Sequence, residues 1–173
     1  MNFVERCARV RMLILDVDGV LTDGRLIFDA EGQESKVFSV RDGYGIRLLQ
    51  DHGVEVAMIT ARYSAALAHR ARDLGIRRVY QGSLDKMVAY TELQVASGLP
   101  DEALAYMGDD LIDLPILRRV GLAAAPADAH PEVLQRVHWQ AAQVGGAGAV
   151  RALSEAILQA QGHWSSILQR AGG

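Results

Sequence analysis

Three observations predict an α/β fold in which a parallel sheet is covered by helices on both faces. Short apolar runs of strand length alternate with longer segments of helical period. Glycines recur just past several of those longer segments. Polar or acidic residues follow several of the apolar runs directly, where open parallel sheets bind ligands.

The first strand is Arg11–Leu15, an apolar run that ends on Asp16. Next comes "RLIFDAEGQESKVFSV", 25–40, which reads as two short strands around the turn "DAEGQ". Leu26 and Phe28 would face one side and Ile27 the other, and Val37 and Phe38 also divide between faces. A lone hairpin is marginal in water, so two partly apolar faces point to a contact or to packing on its own domain. A helix follows over Tyr44–His52 and stops before Gly53; the strand Val54–Ile59 runs into Thr60. Ser64 is placed to cap a helix over Ser64–Leu74, with Gly75 beyond it. Arg78–Tyr80 is a short strand, and Ser83 is placed to cap a helix over Leu84–Ser97 that ends at Gly98. The strand Ala103–Met107 leads to Asp109 and Asp110. Helix Leu111–Val120, Gly121, strand Gly121–Ala124 and helices Pro131–Val137 and Ala149–Gln161 complete the pattern. "GGAGAV", 145–150, reads as a loop entering the last helix and lacks the spacing of a dinucleotide fingerprint.

Bulk properties narrow the function classes. The 173 residues favour one domain, with no linker or repeat. Half of them are hydrophobic and 23% are charged, which excludes disorder as the default. The net charge is -3, and the short clusters "IRR" (76–78) and "LRR" (117–119) do not make a nucleic-acid stripe. Cys7 is the only cysteine, so a reducing, cytoplasmic compartment is expected. No signal-like segment or membrane-length apolar run is evident.

The acidic residues carry the chemistry. Asp16, Asp18, Asp109, Asp110 and Asp113 would gather in one crevice, where they could not all stay ionised without a cation. Hard oxygen donors of this kind suit Mg²⁺ beside a phosphate. A calcium loop counted from Asp16 fails on spacing, because Val20, Leu21 and Ile27 stand at required ligand and turn positions. A phosphorylatable receiver domain fits poorly, because here the middle strand ends in Thr60 and the adjacent acidic pair comes late. An ionised Asp16 can attack phosphorus, and Asp18 can protonate a poor alkoxide leaving group. Thr60 can donate to a phosphate oxygen, and Lys86 can offset its charge. Each has a bland reading: a helix cap for the aspartates, a strand end for Thr60, a solvated lysine. All four in this order weigh against those readings together.

The strings "DVDGVLTDG" (16–24), "ITAR" (59–62), "SLDK" (83–86) and "GDDLIDLP" (108–115) resemble the four ordered motifs of the haloacid dehalogenase superfamily of phosphatases. Longer strings narrow the likeness. "FSVRDGYGIRLL" (38–49), "VYQGSLDKMVAYTEL" (79–93) and "GGAGAVR" (145–151) are similar to its 3-deoxy-D-manno-octulosonate 8-phosphate phosphatases, over roughly residues 5–162. The resemblance implies a three-layer Rossmann-like domain over 1–162, with a hairpin insertion at 25–40 and no large cap domain. It leaves 163–173 as a C-terminal tail without a role. It implies Asp16 as nucleophile, Asp18 as acid/base, and Thr60 and Lys86 as catalytic partners. Mg²⁺ would be held by Asp16, the main-chain carbonyl of Asp18 and Asp109, with Asp110 and Asp113 secondary. Substrate contacts are implied for Asp18, Ser39, Val40, Arg41, Asp42, Gly43, Arg47, Arg62, Arg70 and Lys86. Arg151 could reach substrate from the tail, although Ala152 stands where the family often has Glu. Taken without the family, Arg47 and Arg70 read as a solvated helix face.

The family further implies a homotetramer in which the hairpin of one subunit closes a neighbour's site, acting in lipopolysaccharide biosynthesis. Two alternatives stand beside this reading. One is a phosphatase for another acidic sugar phosphate, such as a nine-carbon ulosonate 9-phosphate. The other is a non-catalytic oligomerisation module.

Overall fold

In the computed structural model, which describes residues 1–172, the chain alternates strands and helices as follows. α1 (Phe3–Arg9) leads into β1 (Met12–Leu15); β2 (Ile27–Phe28) and β3 (Glu34–Ser35) form a hairpin; α2 (Val40–Asp51) then leads into β4 (Glu55–Ile59). α3 (Ala65–Asp73), β5 (Arg78–Tyr80), α4 (Lys86–Ser97) and β6 (Leu104–Met107) follow. The chain continues through α5 (Leu114–Leu117), β7 (Leu122–Ala125), α6 (Pro131–Leu134), β8 (Trp139–Gln140), α7 (Ala149–Ala160) and α8 (Trp164–Arg170). The main sheet is parallel in the order β5-β4-β1-β6-β7-β8, and β2 pairs only with β3, antiparallel.

Alternation along the strands builds two cores, one on each face. Leu13 and Leu15 join Val56, Met58, Ala105 and Met107 beneath α1, α2, α3 and α7. Met12 and Ile14 join Ala57, Ile59, Leu104 and Tyr106 beneath α4, α5 and α6. Residues 12–15 are fully buried, at about 1.5–3 kcal/mol per side chain. A strand buried on both faces reads as a continuous apolar run, which is how "MLIL" stood out.

The expected fold is present, with differences at the margins. The helix expected over 111–120 is a 3-10 turn at Leu111–Asp113 followed by the short α5, because Asp110 and Asp113 cap each other and Pro115 enters at the new first turn. Asp85, not Ser83, caps α4 through a bond from the Met87 amide. Gly53, Gly75 and Gly98 have the left-handed φ expected past a helix, but Gly121 does not. Gly121 instead lies where a side chain would strike the Glu102 backbone. Three elements went unexpected. α1 forms behind a capping box of Asn2 and Glu5, β8 is a two-residue edge strand, and α8 occupies most of the tail. Ile167 of α8 packs into the same core as α7; Gly173 of that tail lies outside the described residues. On the hairpin, Leu26, Ile27, Phe28 and Val37 are all exposed.

Candidate active site

Connection order decides where the polar strand ends meet. From β1 the chain moves outward to β4 and β5, then crosses back to β6 on the other side of β1. Asp16 follows β1 and Asp109 lies just past β6, so both stand at the switch point of the sheet. Thr60 follows β4, and Lys86 opens α4. Asp16, Thr60 and Lys86 are all buried.

Lys86 is pinned between two carboxylates. Its Nζ lies 2.9 Å from Asp16 Oδ2 and 2.6 Å from Asp113 Oδ1. Burial favours the neutral amine, but the two negative charges outweigh it and hold the pKa above the usual lysine range. Asp113 is fully buried. Its Oδ1 also accepts from the Tyr106 hydroxyl at 2.5 Å, and its Oδ2 accepts from the amides of Asp109 and Asp110 at 3.0 and 3.2 Å. Asp110 spends its own carboxylate on the Leu111 amide at 2.7 Å. Asp113 therefore orients Lys86 and the loop after β6.

Asp16, Asp109 and Asp113 each offer an oxygen within 4.8 Å of the others. Burial pushes the Asp16 carboxyl up to about 6, with Asp113 adding repulsion and Lys86 opposing both. Burial pushes Asp109 up to about 8, reinforced by Asp16 and Asp113. Asp109 Oδ1 is buried and has no hydrogen-bond partner. An orphaned, strongly disfavoured carboxylate beside two others is a donor set that fits a divalent cation. Asp113, with both oxygens engaged, suits ligation less than Asp16 and Asp109. Gly19, at φ +88°, closes the loop against Asp109, since a Cβ there would stand 2.0 Å from Asp109 Oδ2.

Asp18 sits in a second charged group. Its Oδ1 bonds Lys36 Nζ, and its Oδ2 lies 4.0 Å from Arg62 Nε. Arg62 also bonds Glu34 at 2.5 Å. Burial raises the Glu34 pKa, but Arg62 and Lys36 overcome this and hold it below the usual range. Thr60 Oγ1 accepts from the Arg62 amide at 3.3 Å, which ties this group to the end of β4. Lys36 and Glu34 were absent from the sequence reading. The available signal was two charged residues at strand spacing, "ESK", after the hairpin turn.

The remaining expected substrate contacts form a separate group around the start of α2. Ser39 caps that helix through the Asp42 amide at 3.3 Å, and Arg70 donates to the Ser39 carbonyl at 3.2 Å. Gly43 leaves room for the Arg70 guanidinium, which also lies 6.0 Å from the Phe38 ring centroid. Val40 and Arg41 are exposed. Asp42 is buried and accepts from the amides of Gly148 and Arg151 at 3.2 and 2.8 Å, so its carboxylate is engaged in capping α7. Arg151 pairs with Glu155 at 2.5 Å and stacks 4.9 Å over Tyr44. The glycine loop ahead of α7 packs on the loop after Asp18, and the Gly146 amide donates to the Val20 carbonyl at 2.9 Å. Arg47 does not join these groups within one chain. It bonds the Asp73 carbonyl and lines a cavity of about 860 Å³ with Glu55, Gly75 and Arg78, at the amino ends of β4 and β5.

A family model for haloacid dehalogenase-like hydrolases matches residues 75–153. The chain is 49% identical to the 3-deoxy-D-manno-octulosonate 8-phosphate phosphatase KdsC of Yersinia pestis, over 92% of this chain and 86% of that one. A crystal structure of the 3-deoxy-D-manno-octulosonate 8-phosphate phosphatase from Yersinia pestis superposes with a TM-score of 0.91 at 48% identity, covering 92% of this chain and 86% of that one. The enzyme of that name from Moraxella catarrhalis, solved with magnesium ion, phosphate ion and KDO, gives a TM-score of 0.94 at 35% identity, over 96% of each chain. With relatives this similar over nearly its whole length, the chain belongs to the haloacid dehalogenase-like hydrolases, in the family of the 3-deoxy-D-manno-octulosonate 8-phosphate phosphatases.

Proposed function

We propose that this protein hydrolyses 3-deoxy-D-manno-octulosonate 8-phosphate to the free sugar acid and phosphate, with Mg²⁺, in lipopolysaccharide biosynthesis. The observation that carries the reading is Lys86 held between Asp16 and Asp113 beside the orphaned Asp109 carboxylate. Related enzymes of that named activity, one of them solved with magnesium, phosphate and KDO, support it.

In this reading Asp16 attacks phosphorus while the bond from phosphorus to the sugar oxygen breaks. Asp18 gives a proton to the departing oxygen. The Asp18 carboxylate then takes a proton from the water that attacks the aspartyl-phosphate, and Asp16 is released. Lys86 offsets the charge of the transferring phosphoryl group, and the Thr60 hydroxyl donates to one of its oxygens. Asp16, Asp109 and the main-chain carbonyl of Asp18 would hold Mg²⁺, which supplies charge neutralisation and orients the phosphate. Among the remaining arginines, Arg62 lies nearest the chemistry; Arg70 and Arg151 would take the sugar-acid end.

The exposed hairpin residues support a homotetramer in which the hairpin covers a neighbour's site, and Arg47 would serve substrate only from such a neighbour. A free, buried Cys7 accords with a cytoplasmic location, and no described helix is long and apolar enough to cross a membrane. The test is phosphate release from a panel of acidic sugar phosphates, the eight-carbon 8-phosphate and a nine-carbon ulosonate 9-phosphate among them, with and without Mg²⁺. Fastest turnover of the eight-carbon substrate is expected. No release from any of them would leave only the oligomerisation module.

A further inference from the structure

The return strand of the hairpin carries charge in a pattern that the phosphatase motifs do not require. Glu34 and Lys36 are two residues apart and point to one face, while Ser35 and Val37 point outward and are exposed. Of this inward pair, Lys36 meets Asp18 in the loop after β1, and Glu34 meets Lys36. Lys36 Nζ bonds Asp18 Oδ1 and lies 3.0 Å from Glu34 Oε1, with only 1% of the lysine side chain exposed. An ammonium buried this far must be paired, and both partners are carboxylates. The other oxygen of Asp18, Oδ2, is buried and has no hydrogen-bond partner, with Arg62 Nε 4.0 Å away. One oxygen of Asp18 is pinned and the other is left open.

We infer that Lys36 is a positioning residue for proton transfer, fixing Asp18 through Oδ1 so that Oδ2 carries the proton to the leaving oxygen. The inference rests on the reading of Asp18 as acid/base. Glu34 holds Lys36 from its far side, and Arg62 holds Glu34, so the hairpin is tied to the chemistry by a closed set of ion pairs. Strands of two residues would not hold that hairpin in place alone. In the step itself the proton passes from Asp18 Oδ2 to the sugar oxygen. The electron pair of the breaking bond to phosphorus stays on that oxygen. Lys36 stays bonded to Oδ1 and offsets the charge of the carboxylate left behind.

The test is kcat/KM of Lys36→Met on two substrates at saturating Mg²⁺. 3-Deoxy-D-manno-octulosonate 8-phosphate needs a proton on its leaving group; 4-nitrophenyl phosphate does not. This ratio covers steps only as far as departure of the leaving group, so it is blind to later hydrolysis of the phosphoenzyme. General-acid help is worth about 10²–10⁴-fold, and a loosened acid should forfeit roughly 10–100-fold on the sugar phosphate. The loss on the aryl phosphate should be at least about tenfold smaller, and that retained turnover also reports a folded site. Lys36→Arg should restore most of the sugar-phosphate rate, and Glu34→Gln should show the same selectivity in milder form. In an Asp18→Asn background Lys36→Met should cost little more, because the two act as a unit. Equal losses on both substrates, or full additivity with Asp18→Asn, would overturn the inference. Wild-type enzyme inactive on the sugar phosphate would remove the proposed function and this inference together, whereas equal losses remove only this one.

Discussion

Replacing Gly19 by alanine separates backbone strain from damage to the metal site. Gly19 and Gly24 both sit in the turn after Asp18, at φ +88° and +75°. Alanine costs roughly 1–2 kcal/mol in either left-handed position. At Gly24 the added carbon would meet only Gly19 backbone atoms at 3.6 Å, an ordinary contact. At Gly19 it would stand 2.0 Å from Asp109 Oδ2. The Asp109 carboxylate must therefore retreat by more than about 1 Å, a misplacement that can cost on the order of 10²-fold in a preorganised site. Both variants should lose roughly 2–8 °C in Tm, since 1 kcal/mol is about 2–4 °C for a chain of this size. Only Gly19→Ala should also raise the Mg²⁺ concentration for half-maximal activity, by about 10–100-fold, the scale found when groups supporting a metal ligand are disturbed. The assay is phosphate release against Mg²⁺ concentration, with thermal melts of both variants. Matching Mg²⁺ curves for the two alanine variants would refute the assignment of Asp109 to the metal.

Further outcomes follow from the same geometry. Asp16→Asn should keep the fold, because Lys86 retains Asp113, and lose turnover by at least about 10⁴-fold; retained phosphate release would move the nucleophile elsewhere. Asp42→Ala leaves the Gly148 and Arg151 amides of α7 unpaired, a loss of about 1–3 kcal/mol that a thermal melt should read as roughly 2–12 °C. Unchanged Tm with weakened substrate binding would return Asp42 to the substrate. Asp101 is pushed up by burial but held below the usual carboxylate range by Tyr90, Arg119 and Gln94. Its contribution to stability is full above the unfolded-state pKa of about 4 and fades as pH falls through the lowered folded value. Asp101→Asn should therefore flatten the acid limb of a denaturation profile below that point. Phe28→Asp, on the exposed hairpin, should reduce the mass in solution to that of smaller assemblies; a monomeric wild type would remove the shared-site proposal.

What could be read in advance follows from range. The strands were legible because β1, β4, β6 and β7 are buried on both faces, which forces unbroken apolar runs such as "MLIL" and "LAYM". Asp16 and Asp109 were legible because one directly follows β1 and the other lies just past the end of β6. α1 and α8 were not, because short helices of mixed composition are stabilised by packing rather than by their own period. The split among the aspartates also escaped the sequence, since five acidic residues look alike until their partners are placed. Asp113 is saturated by Lys86, Tyr106 and two amides, while Asp109 keeps a bare oxygen. That difference separates the residue that orients Lys86 from the one suited to a cation. Asp42 makes the same point from the other direction. Its string resembles a substrate loop, yet its carboxylate closes a bond across 109 residues to Arg151. A motif carries the chemistry a residue is able to perform. The long-range partners decide which of its atoms are free to perform it: at Asp18 Lys36 holds Oδ1, while Oδ2 has no hydrogen-bond partner.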